Sequence, residues 1–173
     1  MSISKHRSLL LRANRFLGSA MVSEGLLTSD AQEDATHRLL EIIQQDNLKQ
    51  ASLLYILLYE LKAFREEALI NHLVESSGIG LIDLHGFDLA ASTPSGLDTE
   101  ACWATWTIPF QTLEDVHLLA TAYYLSPPVR KFWTEQLSGR ILWYGATAAS
   151  ILEGLEVLTG EGKESSTTED SAN

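Results

Sequence analysis

The alternation of apolar and polar positions is strongest between residues 102 and 158, where it predicts two strands joined by a short connection. From residue 103 to residue 110 the side chains alternate in the way that a half-buried strand requires. One face then holds Trp106, Ile108 and Phe110, and the opposite face holds Trp103, Thr105 and Thr107. The alternation resumes at Val116 after a polar break at residues 111–115, which predicts an antiparallel hairpin with a loop of about five residues and with His117 on its outer face.

Two helices and a third strand are predicted in the remainder of this segment. Ser126 can cap a helix with two prolines in its first turn, and an apolar stripe at helical spacing would face the sheet. The stripe consists of Val129, Phe132, Trp133 and Leu137. Gly139 ends this helix, residues 141–144 alternate as a short strand, and Thr147 caps a last helix. The inner side of the last helix is formed by Ala148, Ile151, Leu152, Leu155 and Leu158.

The first half of the chain shows helical periodicity. Ser29 and Gln32 have the spacing of a capping box, and they open a predicted helix that runs to about residue 46. Further helices are predicted at residues 48–61 and 65–75, followed by an extended segment at residues 81–84. A weak internal repeat aligns the helix around Leu17 with the helix around Leu54 at a spacing of 37 residues, which predicts two copies of one helical hairpin.

These elements predict an α+β protein. An N-terminal bundle of two helical-hairpin repeats would precede a small α/β sandwich of about three strands and two helices. We expect four segments: a helical subdomain at residues 1–84, a linker at residues 85–101, an α+β subdomain at residues 102–158 and a disordered acidic tail at residues 159–173.

Length and composition fit a cytoplasmic protein with a substantial core. The chain has 173 residues, of which 45% are hydrophobic, and a chain of this kind can bury a large fraction of its apolar surface. The single cysteine, Cys102, excludes an internal disulfide framework and fits a reducing compartment. No apolar run approaches the ~18 residues that a membrane helix needs, so we expect no direct membrane insertion.

The formal net charge of −11 disfavours nucleic acid as a partner, because both surfaces would be acidic. The charge is unevenly distributed: the first 16 residues contain four basic and no acidic side chains, whereas the rest contains 8 basic and 23 acidic ones. The four are Lys5, Arg7, Arg12 and Arg15. A basic, leucine-rich first helix on an acidic body can dock on an acidic partner or on phosphate groups. The alternative interpretation is that its leucines pack inward and its arginines are only solvated.

No cofactor or catalytic motif is present, so we expect a protein that is not an enzyme and that holds no cofactor or metal. Neither a glycine-rich phosphate loop nor a nucleophile elbow occurs. Asp83, His85 and Asp88 form the tightest group of histidine and carboxylate residues, but loop residues of these types are more often turn formers and helix caps than metal ligands. Trp103 shares its predicted face with two threonines and is therefore expected to be exposed.

Three segments resemble the N-terminal domain of the type II secretion and type IV pilus assembly ATPases, the group that includes general secretory pathway protein E. These are residues 25–30, 66–73 and 78–84, and the resemblance extends over about residues 15–158. It implies two helical repeats, a strand, a linker and a compact α+β part. It also implies that the domain is not the motor: in that family it docks the ATPase onto an inner-membrane platform partner, and in one branch it binds cyclic di-GMP through paired repeats.

The resemblance places a cyclic di-GMP site at Arg15, Gly18 and Gly25. The family's nucleotide-binding repeat begins with Arg-Leu-Gly and has a central glycine followed by two apolar residues. The first repeat of this chain keeps both glycines, but Phe16 stands where the arginine belongs and Arg15 is shifted by one position. In the second repeat the arginine and the two glycines are replaced by Leu53, Tyr55 and Lys62. A lost arginine removes a bidentate contact to phosphate or guanine.

We therefore expect a cytoplasmic, non-catalytic adaptor or regulatory module. Its partner would be a protein, such as a secretion or pilus platform component that recruits it to the inner membrane. A cyclic di-GMP sensor is the alternative, and a small hydrolase is a third class. Since the chain ends before a nucleotide-binding core could begin, the module would act detached from any ATPase. The expected partner contacts are Lys5, Arg7 and Arg12 on the first helix, and Trp103 and His117 on the outer face of the sheet.

Overall fold

Two long helices open the computed structural model, which describes residues 4–160. After one 3-10 turn, α1 covers Arg7–Ser23 and α2 covers Ser29–Gln44. Thr28 is the N-cap of α2, because its hydroxyl accepts a hydrogen bond from the Ala31 N–H at 3.2 Å. The predicted helix is confirmed, and its cap lies one residue before the predicted one.

The predicted helix at residues 48–61 is interrupted. Its parts are a 3-10 turn at Leu48–Gln50, the single turn α3 at Leu53–Tyr55 and a π-helical turn at Ile56–Glu60. The interruption occurs at Ser52, whose backbone is extended and whose hydroxyl accepts a hydrogen bond from the Tyr55 N–H at 3.2 Å, so that a new helix begins there. The third predicted helix is confirmed as α4, Glu66–Glu75.

Short helices lie in and next to the predicted linker. They are a 3-10 turn at Leu84–Gly86, α5 at Leu89–Ser92 and α6 at Thr99–Thr105. An aspartate starts each of them, because the side chains of Asp83, Asp88 and Asp98 accept hydrogen bonds from N–H groups two or three residues further on, at 3.1, 3.4 and 3.2 Å. The aspartates of this loop therefore act as helix caps.

The first long strand begins later than predicted. The cap at Asp98 starts α6, which includes residues 103–105, and Trp106 ends the helix in the left-handed conformation with a φ of 47°. β2 covers Thr107–Leu113 and β3 covers Val116–Thr121. Only two residues join them, because the ladder continues through residues that were predicted to form a five-residue loop. The prediction of a strand at residues 103–106 is wrong.

In residues 4–160, four strands form one mixed sheet: β1, Gly80–Leu81, lies at one edge, followed by β4, Arg140–Gly145, then β3 and then β2. α7, Pro127–Gln136, connects β3 to β4, Arg140–Gly145. β4 pairs in parallel with β3 and with the two-residue strand β1, Gly80–Leu81, whereas β2 pairs antiparallel with β3. The extended segment after α4 thus adds a fourth strand to the three that were predicted. α8, Ala148–Leu158, follows β4, and Thr147 caps it as predicted.

The fold class is confirmed as α+β, with N-terminal helices followed by a sheet that carries further helices. One hydrophobic cluster extends from Leu10 on α1 to Leu155 on α8, and α1 packs on α6 and α7 as well as on α2. The segment boundaries at residues 84, 101 and 158 remain predictions, and residues 161–173 of the predicted tail lie outside the described range. Among residues 4–160, no helix is both long and apolar enough to cross a membrane.

A buried hydrogen-bond network fixes α1 against the sheet. The Tyr123 hydroxyl, two residues beyond β3, donates to Asn14 Oδ1 at 2.6 Å and lies 2.7 Å from the Ser52 hydroxyl. Asn14 Oδ1 also accepts a hydrogen bond from the Leu53 N–H at 2.8 Å. Burial raises the pKa of Tyr123, so its hydroxyl stays protonated and remains a donor. The network sets the rotation of α1 and therefore decides which of its side chains face outward.

Candidate docking surface on helix α1

The outer side of α1 carries basic and small polar side chains and one exposed aromatic ring. Its inner side is buried and includes Leu10, Ala13, Leu17 and Met21. The opposite side, which we call the α1 ridge, consists of Ser8, Arg12, Arg15, Phe16 and Ser19, all of them exposed. The Phe16 side chain is 45% exposed, so the ridge offers apolar surface beside its charges.

Two grooves flank the α1 ridge. The α1/α2 groove has a volume of about 490 Å³, and Arg15, Gln32 and Leu40 are among its lining residues. The α1/α7 groove has a volume of about 400 Å³ and is lined by Phe16, Pro127, Pro128, Lys131, Phe132 and Glu135. Arg12 lines both grooves. The ridge is therefore a raised basic strip between two concave surfaces, each within the size range of known ligand pockets.

The cations around the α1 ridge are not held in ion pairs in the described part of the chain. Within residues 4–160, no ion pair is made by Arg7, Arg12, Arg15 or Lys131. Other basic side chains do reach a carboxylate, at distances between 2.8 and 4.0 Å, among them Lys5, Arg38 and Arg65. On a chain with a net charge of −11, unpaired cations gathered on one side form a local region that attracts anions.

The predicted partner-binding residues lie in different places. Arg7 and Arg12 are exposed on α1, but the Lys5 ammonium lies 3.1 Å from the Asp98 carboxylate at the start of α6. The expectation that Trp103 is exposed is wrong: it belongs to α6, its side chain is 1% exposed, and it cannot reach a partner from there. His117 lies on β3, where its ring contacts the Thr112 hydroxyl at 3.1 Å and the Ser138 carbonyl at 2.7 Å.

The predicted ligand-binding residues are only partly brought together. Arg15 lines the α1/α2 groove. A Cβ at Gly18 would lie 2.9 Å from both the Gln32 side chain and the Leu53 side chain, so this glycine serves close packing between helices. Gly25 follows α1 with a φ of +73° and has no neighbouring atom within 4 Å of a Cβ placed there. The structure therefore explains both glycines by backbone geometry and packing.

Several residues of the α1/α7 groove could not be found from the sequence. The outward positions of Arg12 and Phe16 follow from the helical period, because they alternate with the buried leucines. Lys131 and Pro127 join them only because α7 packs on α1 across more than 100 residues of chain. No local sequence pattern predicts the packing of α7 on α1.

Two groups of histidine and carboxylate side chains lie away from the α1 ridge. His85 is held between two carboxylates, with Nδ1 at 2.7 Å from Asp83 and Nε2 at 2.6 Å from Glu153 on α8; we call these three residues the His85 clip. In the second group, Asp98 lies 2.8 Å from His6, and Glu100 completes a set with metal-ligand spacing. The same Asp98 oxygen already contacts the Lys5 ammonium, so the geometry is that of an ion-pair latch between the start of α1 and α6.

The His85 clip is expected to stabilise the fold between about pH 4 and about pH 6.5. The Asp83 carboxylate raises the pKa of His85 above its ordinary 6.5, so this contribution is full below 6.5 and is lost as the pH rises through the raised value. The backbone N–H and then the ring of His85 lower the pKa of Asp83 below its ordinary 3.8, so the contribution is lost again in acid. Inside this pH window, the midpoint of thermal unfolding of His85→Gln should be lower than that of the unmodified chain. At pH 9 the two midpoints should be equal.

The comparison with solved structures agrees with this fold. No protein-family model matches the sequence, and no curated protein matches it. Among solved structures, the N-terminal domain of XpsE is similar in two crystal forms. One has a TM-score of 0.51 with 16% identity over 80% of this chain and 90% of that chain; the other has 0.50 with 15% identity over 83% and 94%. The structure of MshE with cdg is similar with a TM-score of 0.48 and 18% identity, over 82% of this chain and 96% of that chain.

At these identities the likeness shows the fold. The chain has the fold of the XpsE N-terminal domain, and the resemblance to the N-terminal domains of the secretion and pilus ATPases is confirmed at that level. The match runs through four fifths of the chain and nearly the whole of the other domain, so it includes both the helices before the sheet and the sheet itself.

Proposed function

We propose that this chain is a non-catalytic docking module that binds a protein partner through the α1 ridge. The observation that carries the proposal is the group of unpaired cations, Arg12, Arg15 and Lys131, exposed beside Phe16 on a chain of net charge −11. Such a surface favours association with an acidic partner and speeds its encounter. The fold supports a cytoplasmic location for this module. In the adaptor role that we propose, a secretion or pilus platform component recruits it to the inner membrane.

The chemistry of the described residues supports binding over turnover. Around the α1 ridge, the ionisable groups of residues 4–160 are arginines, one lysine and Glu135, with no nucleophile beside a base. Cys102 is buried, and this burial raises the pKa of its thiol, so it is not an activated thiolate. Ser92 and Ser95 are serines of the segment at residues 85–101 that also contains His85, and among the described residues neither is hydrogen-bonded to a histidine, which weighs against a small hydrolase.

Charge reversal on the α1 ridge tests the docking proposal. We expect the double variant Arg12→Glu, Arg15→Glu to capture its partner from lysate at least about tenfold less efficiently than the unmodified chain, because two attractive contacts become repulsive. Both side chains are exposed and unpaired, so the fold should be unaffected. Deleting the first 16 residues would be a poorer test, since it also removes the buried Leu10, Ala13 and Asn14.

Arg140→Glu is the matched control, because Arg140 is an exposed cation at the start of β4 without an ion pair in the described range. Quantitative mass spectrometry of the captured proteins gives the measurement. A partner list that is the same for the ridge variant, the control and the unmodified chain would contradict docking through α1.

A second candidate function is binding of cyclic di-GMP in the α1/α2 groove. The observation in its favour is a groove of about 490 Å³ that combines Arg15 with the polar side chains of Asn14, Gln32 and Thr36. Against it, the space above Gly18 is already filled by Gln32 and Leu53. We expect isothermal titration calorimetry with cyclic di-GMP to show no binding at micromolar concentrations. Micromolar or tighter binding that disappears in Arg15→Ala would replace docking by sensing.

A further inference from the structure

The α1/α7 groove has two walls with matching helical spacing. On α1, Arg12 and Phe16 are four residues apart and both line the groove. On α7, the lining residues Pro127, Lys131 and Glu135 are again four residues apart. Residues at this spacing lie one above the other along a helix. Both walls therefore repeat their lining side chains at the spacing of one helical turn, and the cations Arg12 and Lys131 lie on opposite walls.

The apolar part of the groove is preformed. Pro127 and Pro128 occupy the first turn of α7, where their rings are rigid and displace no hydrogen bond of the helix. The Phe132 ring is held edge-on between Trp133, at a centroid distance of 5.2 Å, and His6, at 6.1 Å. Little ordering is therefore required of the protein when an apolar side chain enters, which favours binding.

The start of α7 is also fixed to α1 by a hydrogen bond. The Ser126 hydroxyl donates to the Ala13 carbonyl at 2.8 Å instead of capping its own helix. Ser126 and Ala13 are both fully buried, so this bond holds the two walls together from below. The width of the groove is thus set by the fold and does not depend on an occupant.

We propose that the α1/α7 groove binds an acidic amphipathic helix of a protein partner, an inference that rests on the docking function proposed above. A helix that lies in a groove uses anchors three or four residues apart, the spacing that both walls present. One large apolar side chain would sit against Phe16, Pro128 and Phe132, and carboxylates one turn away would meet Arg12 and Lys131.

Charge selects the occupant and its direction. The net charge of −11 repels anionic membranes and nucleic acids at long range, whereas a short acidic helix meets the local cations directly. Glu135 ends the α7 wall and repels a carboxylate placed there, so the acidic residues of the partner must lie beside Arg12 and Lys131, on the side away from Glu135. The groove therefore selects the charge of the helix that it binds and also the direction in which that helix lies.

The probe for this inference is a designed 16-residue helical peptide, labelled for fluorescence anisotropy, with glutamate and leucine each repeating every four residues and one phenylalanine on the leucine face. The matched control peptide contains the same residues rearranged so that no apolar face forms. We expect the full chain to bind the first peptide at least about tenfold more tightly than the second.

Variants of the groove supply the decisive comparison. Lys131→Glu and Phe16→Ser should each lower the affinity for the first peptide by about tenfold, and Arg140→Glu should leave this affinity unchanged. Glu135→Lys should increase the affinity for the peptide several-fold, because it replaces the acidic residue that lines the groove with a basic one. Glu135 is exposed and makes no ion pair within residues 4–160, so this variant is expected to fold and keeps the test decisive even if another variant folds poorly.

The outcomes separate this inference from the proposed function. Equal affinity for the two peptides, or affinity unchanged by both Lys131→Glu and Glu135→Lys, would overturn the helix-binding inference. If the peptide results overturn the inference but the double variant Arg12→Glu, Arg15→Glu still loses its partner in the capture experiment, the docking function stands. The partner then binds the α1 ridge with a structure other than an acidic amphipathic helix. If peptide binding follows the groove variants while partner capture ignores the ridge, the groove is real and the docking function is wrong.

Discussion

Replacing Gly139 with alanine is expected to lower the free energy of unfolding by about 3 kcal/mol. Gly139 connects α7 to β4 with a φ of +105°, a conformation that an L side chain rarely adopts. A Cβ at this position would also overlap the carbonyl oxygen of Asp115. That oxygen accepts a hydrogen bond from the Arg140 N–H at 2.9 Å, so the substitution disturbs the first contact between β3 and β4.

Gly25→Ala separates backbone strain from steric overlap. Gly25 has a φ of +73°, similarly unfavourable for alanine, but no atom lies within 4 Å of the added Cβ. Its substitution should therefore cost only about 1 kcal/mol. Urea unfolding of both variants, followed by circular dichroism, measures the difference. Equal losses for Gly25→Ala and Gly139→Ala would show that the contact with Asp115 contributes nothing.

Replacing Asn14 with alanine is expected to lower the free energy of unfolding by about 3 kcal/mol as well. Asn14 is 2% exposed, and its Oδ1 accepts hydrogen bonds from the Leu53 N–H and the Tyr123 hydroxyl. Alanine leaves the Leu53 N–H without an acceptor in a buried position, where an unsatisfied donor is far more costly than in water. The hydrogen bonds that join α1 to the start of α3 and to the residues just after β3 would both be lost.

Ser19→Ala on the exposed side of the same helix is the control and should change stability by less than about 0.5 kcal/mol. Tyr123→Phe removes one donor of the network, and its loss in the free energy of unfolding should lie between those of Ser19→Ala and Asn14→Ala. In the double variant Asn14→Ala, Tyr123→Phe the losses should be clearly less than additive, because both changes break the same hydrogen bond. Additive losses in denaturant unfolding would contradict a shared network.

Local signals predicted four of the helices well, but not the interruption at Ser52 or the short helices α5 and α6. The apolar stripes of α2, α4, α7 and α8 were visible because each helix buries one face, and Thr147 caps α8 in the expected manner. The capping signal of Asp98 was present in the sequence, but the alternation that follows it suggested a strand instead. Alternation in residues 103–106 is accidental, since both Trp103 and Trp106 are buried by long-range packing.

The candidate site could be predicted only on the α1 side. The run of four basic residues without an acidic one marked the first helix, and its period places Arg12 and Arg15 outward. The pairing of Lys5 with Asp98 joins residues 93 positions apart, and the groove with α7 depends on a similar distant contact. Such contacts follow from how the elements assemble around the sheet, and no window of sequence contains them.

Site-specific photo-crosslinking tests docking through α1 most directly. A photoreactive amino acid would replace Ser19, an exposed and uncharged position on the α1 ridge, and in a second chain it would replace Ala149, an exposed position on α8. After irradiation in lysate, mass spectrometry identifies the attached proteins. We expect one abundant partner linked from position 19 and not from position 149. The same partner linked equally from both positions, or only from position 149, would contradict docking through α1.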